Sequence, residues 1–487
     1  MPTASPEPSH NDITLVADLD GTLCRTDTLH EAILRLAAAS PLQLLRLPLW
    51  LSEGRAGLKA RIADRVVVDP GSLPFNDEVV EALRTARAEG RRTALVSAAD
   101  HRQVTAVAEA TGLFDEAYGS AEGRNLKGAE KATFLNTHFG EKMFDYIGDS
   151  KADLPVWAAA RQAITVQAGQ GLRAAAKTAN PKVTHLDPPA GRTRAMLKGL
   201  RPHQWSKNAL LFLPLLAAHD LSKLLPVFLG FLAFCLTASA VYVINDLVDL
   251  PADRAHPRKC KRPFASGALS AATGAGMAMV LLLCALALGL ATGNPLFIAT
   301  LALYLAATFA YSLWLKRKLI VDVLMLAGLY TVRIIAGGTA ASINLSPWML
   351  GFSMFLFLAL AAVKRQAELT DLLKTGREAI GRAYRVEDLP ILRGIALTAA
   401  QATVLILALY ISSEDVQALY QFPSLLWLVC PLLLYWVLRM VMKTHRGEMT
   451  DDPIVFAATD RVSLLIVLLC LLLGVTAAIW PWYVPAI

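Results

Sequence analysis

A soluble α/β domain followed by an all-α integral membrane domain is the fold class this sequence predicts, and three observations predict it. Up to about Arg201 charged residues are spread throughout, whereas beyond that point long apolar runs alternate with short polar connections. In the first part, apolar runs of strand length alternate with helical stretches, the pattern of a Rossmann-like parallel sheet with its site at the strand ends. In the second part nine apolar segments follow one another, eight of them long enough for a membrane crossing.

The 487 residues allow two or three domains. The net charge of +7 does not point to nucleic acid, because the basic residues lie mainly between apolar runs rather than along an aromatic-rich soluble face. Six cysteines are scattered without a CxxC pair, so neither a zinc site nor a disulfide framework is expected. The N-terminal MPTASPEPSHND is polar and has no apolar core, so it does not read as a secretory signal. The first domain is expected over 1–190 and the membrane domain over 195–487, with the Pro- and Gly-containing linker ANPKVTHLDPPAGRTR between them.

In the first domain, ITLVADLDGTL (13–23) is a buried-strand pattern ending in two carboxylates and a Gly-Thr turn. RRTALVSAADH repeats the strand pattern and reaches Ser97, NLKGAEK supplies Lys127 and Lys131, and FDYIGDSKADLP supplies Asp149 and Asp153. In this order the four stretches resemble the motifs of the haloacid dehalogenase (HAD) phosphatases. The resemblance implies that Asp18 is a nucleophile forming an aspartyl-phosphate, and that Asp20 is the general acid and then the base. It further implies a Mg2+ ion held by Asp18, the Asp20 carbonyl and Asp149, with Asp153 beside them, while Ser97 and a lysine neutralise the phosphoryl oxygens. Lys127 fits the family spacing better, with Lys131 as the alternative. A helical insert over 26–76 stands where the family carries a cap; its apolar stretch 34–51 could lie at a bilayer interface or form the cap's own core.

The apolar segments fall near 206–218, 223–249, 271–291, 295–315, 319–339, 346–363, 389–411, 420–442 and 462–483, the first being short. The connections holding Arg254 to Arg262, Lys316 to Lys318, Lys364 to Arg393 and Arg439 to Arg461 are basic, and the alternate set contains only Lys223. The positive-inside rule makes the basic set cytoplasmic, which places the first domain and both acidic sites in the cytoplasm of a bacterial-type plasma membrane and WYVPAI outside.

The second acidic site is NDLVDLPADRAHPRKCKRPFASG (245–267). Asp246, Asp249 and Asp253 lie three and four residues apart, so on one helix they would share a face able to hold a hard divalent cation. Arg254, Lys259, Lys261 and Arg262 follow, as suits a magnesium-bound diphosphate. Pro251 makes that shared face approximate. The stretch resembles the first aspartate-rich motif of the UbiA superfamily of membrane prenyltransferases. RPHQWSKN (201–208) and YSLWLKRKLIVDVLMLAGLYTVRIIAGG (311–338) resemble its decaprenyl-phosphate phosphoribosyltransferase branch. That branch implies transfer of 5-phosphoribose from phosphoribosyl diphosphate (PRPP) to a polyprenyl phosphate. Asn245, Asp246, Asp249 and Asp253 would hold Mg2+ on the donor, and Lys207, Lys316, Asp322, Arg333 and Lys364 would join the basic cluster at the substrate. Many prenyltransferases carry a second DxxxD motif, but Leu326 stands four residues after Asp322, which favours the phosphoribosyl branch. Arg333, inside an apolar segment, is expected to have a buried partner or ligand. Together the two parts imply a bifunctional enzyme making polyprenyl-phosphoryl ribose, a precursor of lipid-linked arabinofuranose. A prenyl diphosphate transferase and a phosphatase with a merely anchoring membrane half are the alternatives.

Overall fold

A computed structural model describes residues 12–121, 124–186, 191–375, 383–449 and 452–479. The N-terminal MPTASPEPSHN, part of the linker and the terminal WYVPAI lie outside the described residues. The chain groups into two compact units, Met1–Arg201 with Tyr242–Met279, and Pro202–Val241 with Val280–Ile487.

The first unit is built on a six-stranded parallel sheet of strands β1 (Thr14–Ala17), β2 (Thr93–Asp100), β3 (Glu116–Ser120), β4 (Phe144–Gly148), β5 (Gln162–Val166) and β6 (Val183–Leu186), in the order β3-β2-β1-β4-β5-β6. Strand β1 is buried along its length because helices cover both faces of the sheet, which is why its sequence is a continuous apolar run rather than an alternating one. The chain leaves β1 towards β2 on one side and returns as β4 on the other. The strand order therefore reverses beside β1, and the crevice at the strand ends opens there.

The cap comprises the helices Thr28–Ala39, Leu47–Ser52 and Gly54–Ala63 and two short 3-10 turns. Leu36, Trp50 and Ile62 are buried inside it, whereas Leu42, Leu45, Leu49 and Leu51 point outwards and are 53–80% exposed. The cap is tied to the segment 242–279 by one buried ion pair. Arg254 Nη2 and Nη1 donate to the two Glu31 carboxylate oxygens at 2.5 and 2.8 Å, and the remaining donors reach the Ser72 and Ala265 carbonyls.

The second unit is helical. Among the described residues of the whole chain, eight helices are long and apolar enough to cross a membrane. The expected first crossing has no long helix: residues Pro202–Phe212 form 3-10 turns and Leu213–Ala217 one short helix. Proline at 202 and 214 and the polar run between them prevent a regular span. This segment runs antiparallel along the helix Leu224–Val248, with Trp205 donating to Ser239 and Asn208 to the Cys235 sulfur. It also approaches the helix Val321–Ala341 so closely that a Cβ on Gly337 would lie 2.0 Å from the Leu211 carbonyl oxygen. Small residues permit such backbone contact between membrane helices.

Removing Glu31 leaves a guanidinium buried without its carboxylate. Glu31→Ala should lower the stability of the first unit by about 3–5 kcal/mol, and Glu31→Leu combined with Arg254→Met should recover most of the loss. Urea unfolding of the detergent-solubilised protein reads both.

Candidate active sites

The first site forms where the sheet order reverses. Asp18 follows the last residue of β1, Asp149 the last residue of β4, and Ser97 lies within β2. The turn after β1 needs Gly21, which has φ +78° and on which a Cβ would meet the Asp149 carboxylate at 2.2 Å. Asp18 Oδ1 accepts the Leu19 N–H at 2.8 Å, and its other oxygen accepts from Lys131 Nζ at 2.7 Å and from the Tyr146 hydroxyl at 3.3 Å. Asp20 accepts the backbone and hydroxyl donors of Thr28 at 2.8 Å each. Thr22 donates to Asp149 at 3.3 Å.

Lys131, not Lys127, is therefore the lysine that touches Asp18, a correction to the preference that spacing suggested. Lys131 lies in the first turn of the helix Ala129–Phe139, where side chains lean back towards the helix N-terminus and so towards the strand ends. Lys127 lines the cavity over Asp18 without an ion-pair partner among the described residues. Asp153 also lines the cavity, accepting from Tyr146 at 3.1 Å and from the Ser150 N–H and hydroxyl at 3.0 and 2.9 Å.

Asp18, Asp20, Asp27, Asp149 and Asp153 share this crevice with Lys59, Lys127 and Lys131. Burial, then the charges of Asp153 and Asp18, push the Asp149 carboxyl up to about 8. Burial, then Asp27, push Asp20 up to about 7 against its two bonds from Thr28, which suits a group that must give and then take a proton near neutrality. The all-oxygen donors at the strand ends fit a hard divalent cation, which Asp18, Asp149 and the Asp20 carbonyl would hold. Among the described residues no group of three or more His, Cys, Asp or Glu side chains is arranged to hold a metal ion.

The second acidic cluster belongs to the same compact unit. The helix Leu224–Val248 stops, Asp249 begins the next, and Pro251 stands in the first turn of the short helix Leu250–Ala255, where its missing N–H costs nothing. The single shared face is thereby replaced. Asp246 and Asp253 are buried and joined by Arg262, which donates to them at 3.1 and 2.6 Å, while Asp249 is exposed and apart. Arg201, the left-handed C-cap (φ +51°) of the helix Arg192–Leu200, donates to both Asp246 oxygens at 2.5 and 2.8 Å. Arg254 pairs with Glu31, and Lys259 and Lys261 are exposed.

In the second unit the expected charges also have protein partners. Asp322 accepts from Tyr311 at 2.9 Å and from Arg365, whose side chain is 2% exposed. Arg333 donates to Asn208 at 2.9 Å, to the Leu329 carbonyl and to the Tyr304 hydroxyl, all uncharged. Lys207 pairs with Asp452, and Lys364 lies 3.8 Å from the same carboxylate. Lys316 lies in the turn Leu315–Arg317. Arg201, Arg365 and Asp452 were not marked by sequence. Arg201 opens the RPHQWSKN stretch, and Arg365 adjoins Lys364 within an apolar helix, where a charge is costly without a partner.

Lys131→Met should lower Mg2+-dependent phosphate release from p-nitrophenyl phosphate by at least about 100-fold, and Lys127→Met by less than about tenfold.

Residues 209–459 match the UbiA prenyltransferase family and residues 15–157 the haloacid dehalogenase-like hydrolases. The chain is 39% identical over 459 residues to the uncharacterized protein y4nM of Sinorhizobium fredii, spanning 93% of this chain and 88% of that one. It is 39% identical to the nodulation protein NoeC of Azorhizobium caulinodans over 55% of this chain and 88% of that protein. It is 34% identical to the decaprenyl-phosphate phosphoribosyltransferase of Corynebacterium glutamicum over 48% of this chain and 74% of that one. The chain belongs to the UbiA prenyltransferase family and carries a haloacid dehalogenase-like hydrolase domain at its N-terminal end.

Proposed function

We propose that the protein transfers 5-phosphoribose from PRPP to a polyprenyl phosphate and then removes the 5-phosphate, giving polyprenyl-phosphoryl ribose, a precursor of lipid-linked arabinofuranose. The observation that carries this is the grouping of both acidic clusters, Asp18 with Asp149 and Asp246 with Asp253, in one compact unit. The resemblance to decaprenyl-phosphate phosphoribosyltransferases supports the donor. So does Asp322, whose carboxylate is taken up by Arg365 and Tyr311 instead of offering a second acidic centre to a prenyl diphosphate.

In the transfer step the bond from ribose C1 to the diphosphate oxygen breaks, the diphosphate leaves with the electron pair, and an oxygen of the lipid phosphate bonds C1. The acceptor is already anionic, so no protein base is needed. Arg201 and Arg262 move from Asp246 and Asp253 to the diphosphate oxygens, freeing the two carboxylates. Mg2+ held there would neutralise the charge that develops on the leaving group. In the hydrolytic step Asp18 attacks the 5-phosphorus and the C5 oxygen leaves, taking a proton from Asp20. Asp20 then accepts a proton from the water that releases phosphate from Asp18, while Lys131 and Ser97 hold the phosphoryl oxygens. The basic connections support the cytoplasmic face of a plasma membrane as the side of both steps.

With PRPP, polyprenyl phosphate and Mg2+, the pure protein should release diphosphate, and Asp246→Asn should slow release by about 100-fold or more. Faster diphosphate release from a prenyl diphosphate than from PRPP would establish prenyl transfer instead. Chelation of Mg2+ should abolish both diphosphate and phosphate release.

A further inference from the structure

The cavity over Asp18 is larger than hydrolysis of a phosphomonoester requires. Its volume of about 900 Å3 lies near the top of the roughly 300–1,000 Å3 that pockets for whole ligands span. One wall comes from the far end of the aspartate-rich stretch, residues 267–270, 272 and 273, which continue into the apolar helix Ala271–Ala291.

That wall is firmly seated. Gly267 has φ +74° and packs against the cap side so closely that a Cβ there would lie 2.6 Å from the Arg25 Cβ. The Leu269 N–H bonds the Pro263 carbonyl at 3.0 Å, the Ser266 N–H bonds the Arg262 carbonyl at 2.9 Å, and Arg254 is locked to Glu31. Arg192 Nη2 donates to Thr273 Oγ1 at 3.0 Å, which fixes its guanidinium at the wall.

The cavity also holds more positive charge than the phosphoryl group can use. Lys131 already serves Asp18, yet Arg55 and Arg192 line the same space with no carboxylate partner among the described residues. Leu29, Leu51 and Leu58 line it too, and Leu51 continues into the exposed leucines of the cap. A ligand matching all three features has one phosphomonoester, a second anionic group and an apolar tail.

We propose that Arg192, bonded to Thr273 at the 267–273 wall, and Arg55 of the cap, which lines the same cavity, form a second anion subsite that takes the phosphodiester of a lipid-linked sugar phosphate and so makes the hydrolase prefer lipid-linked phosphomonoesters to free ones. This rests on the hydrolytic half of the function proposed above. A diester seated there leaves the sugar 5-phosphate free to reach Asp18 while the isoprenoid follows the leucines out of the cavity.

The test measures kcat/KM for phosphate release by the full chain in detergent free of phospholipid. The substrates are ribose 5-phosphate, its 1-(methyl phosphate) diester and its 1-(citronellyl phosphate) diester. The methyl diester should be favoured over ribose 5-phosphate by about tenfold, one charge-assisted contact's worth, and the citronellyl diester further. Arg192→Gln, and separately Arg55→Gln, should erase most of the methyl diester's advantage while leaving ribose 5-phosphate within about twofold. Both side chains are exposed, and unchanged unfolding midpoints confirm folding. Equal kcat/KM for ribose 5-phosphate and the methyl diester, or equal losses on both in the variants, overturns the subsite and leaves the hydrolase standing. A selectivity that appears only when phospholipid vesicles are added assigns the arginines to headgroups and also overturns it. Failure to hydrolyse any substrate overturns the hydrolytic assignment itself.

Discussion

The buried pair between Arg254 and Glu31 is the constraint on which the rest of the first unit depends. It joins residues 223 positions apart, with side chains 8% and 2% exposed, and the guanidinium makes three bonds to the cap, two to Glu31 and one to the Ser72 carbonyl. Two charges taken out of water are tolerated only with such complete pairing. The consequence is positional. With Arg254 held, the turn 262–270 closes over the phosphatase crevice, and the same turn carries Arg262 to Asp246 and Asp253. The geometry of either acidic cluster is thus tied to the other through one short stretch of chain.

Charge balance explains why the two clusters behave differently. Around Asp18 the carboxylates and the cations are spread over a wide cavity, and burial pushes the Asp149 and Asp20 carboxyls upwards, which a divalent cation bound at them would offset. Around Asp246 and Asp253 two arginines already supply the balance. A magnesium diphosphate brings both a cation for the carboxylates and anions for the arginines, so it can exchange partners with the resting cluster without leaving a buried charge uncompensated.

The parts of this architecture legible in the sequence are those written in consecutive residues. Asp18, Asp20, Ser97 and Asp149 stand at or just beyond buried-strand patterns, and strand ends are where a doubly wound sheet places its site. The break at Asp249 was announced by Pro251. What escaped was long-range pairing. Arg201 meets Asp246, Arg365 meets Asp322 and Lys207 meets Asp452 across 45, 43 and 245 residues, separations that no local pattern encodes. Lys131 was separated from Lys127 by a single helical turn, and only the start of the helix at Gly128 decides which of them points back at Asp18. The first membrane segment was recognisably short, but its 3-10 winding follows from burying Lys207 and Asn208, whose partners lie elsewhere in the chain.

The building and then trimming of one lipid-linked sugar by a single chain is read in the mass of the lipid product formed from PRPP and a polyprenyl phosphate by the wild-type protein and by Asp18→Asn. The wild type should give a polyprenyl-phosphoryl pentose, and the variant the same lipid heavier by one phosphoryl group. Identical product masses from the two proteins, or no pentose on the lipid from either, would contradict it.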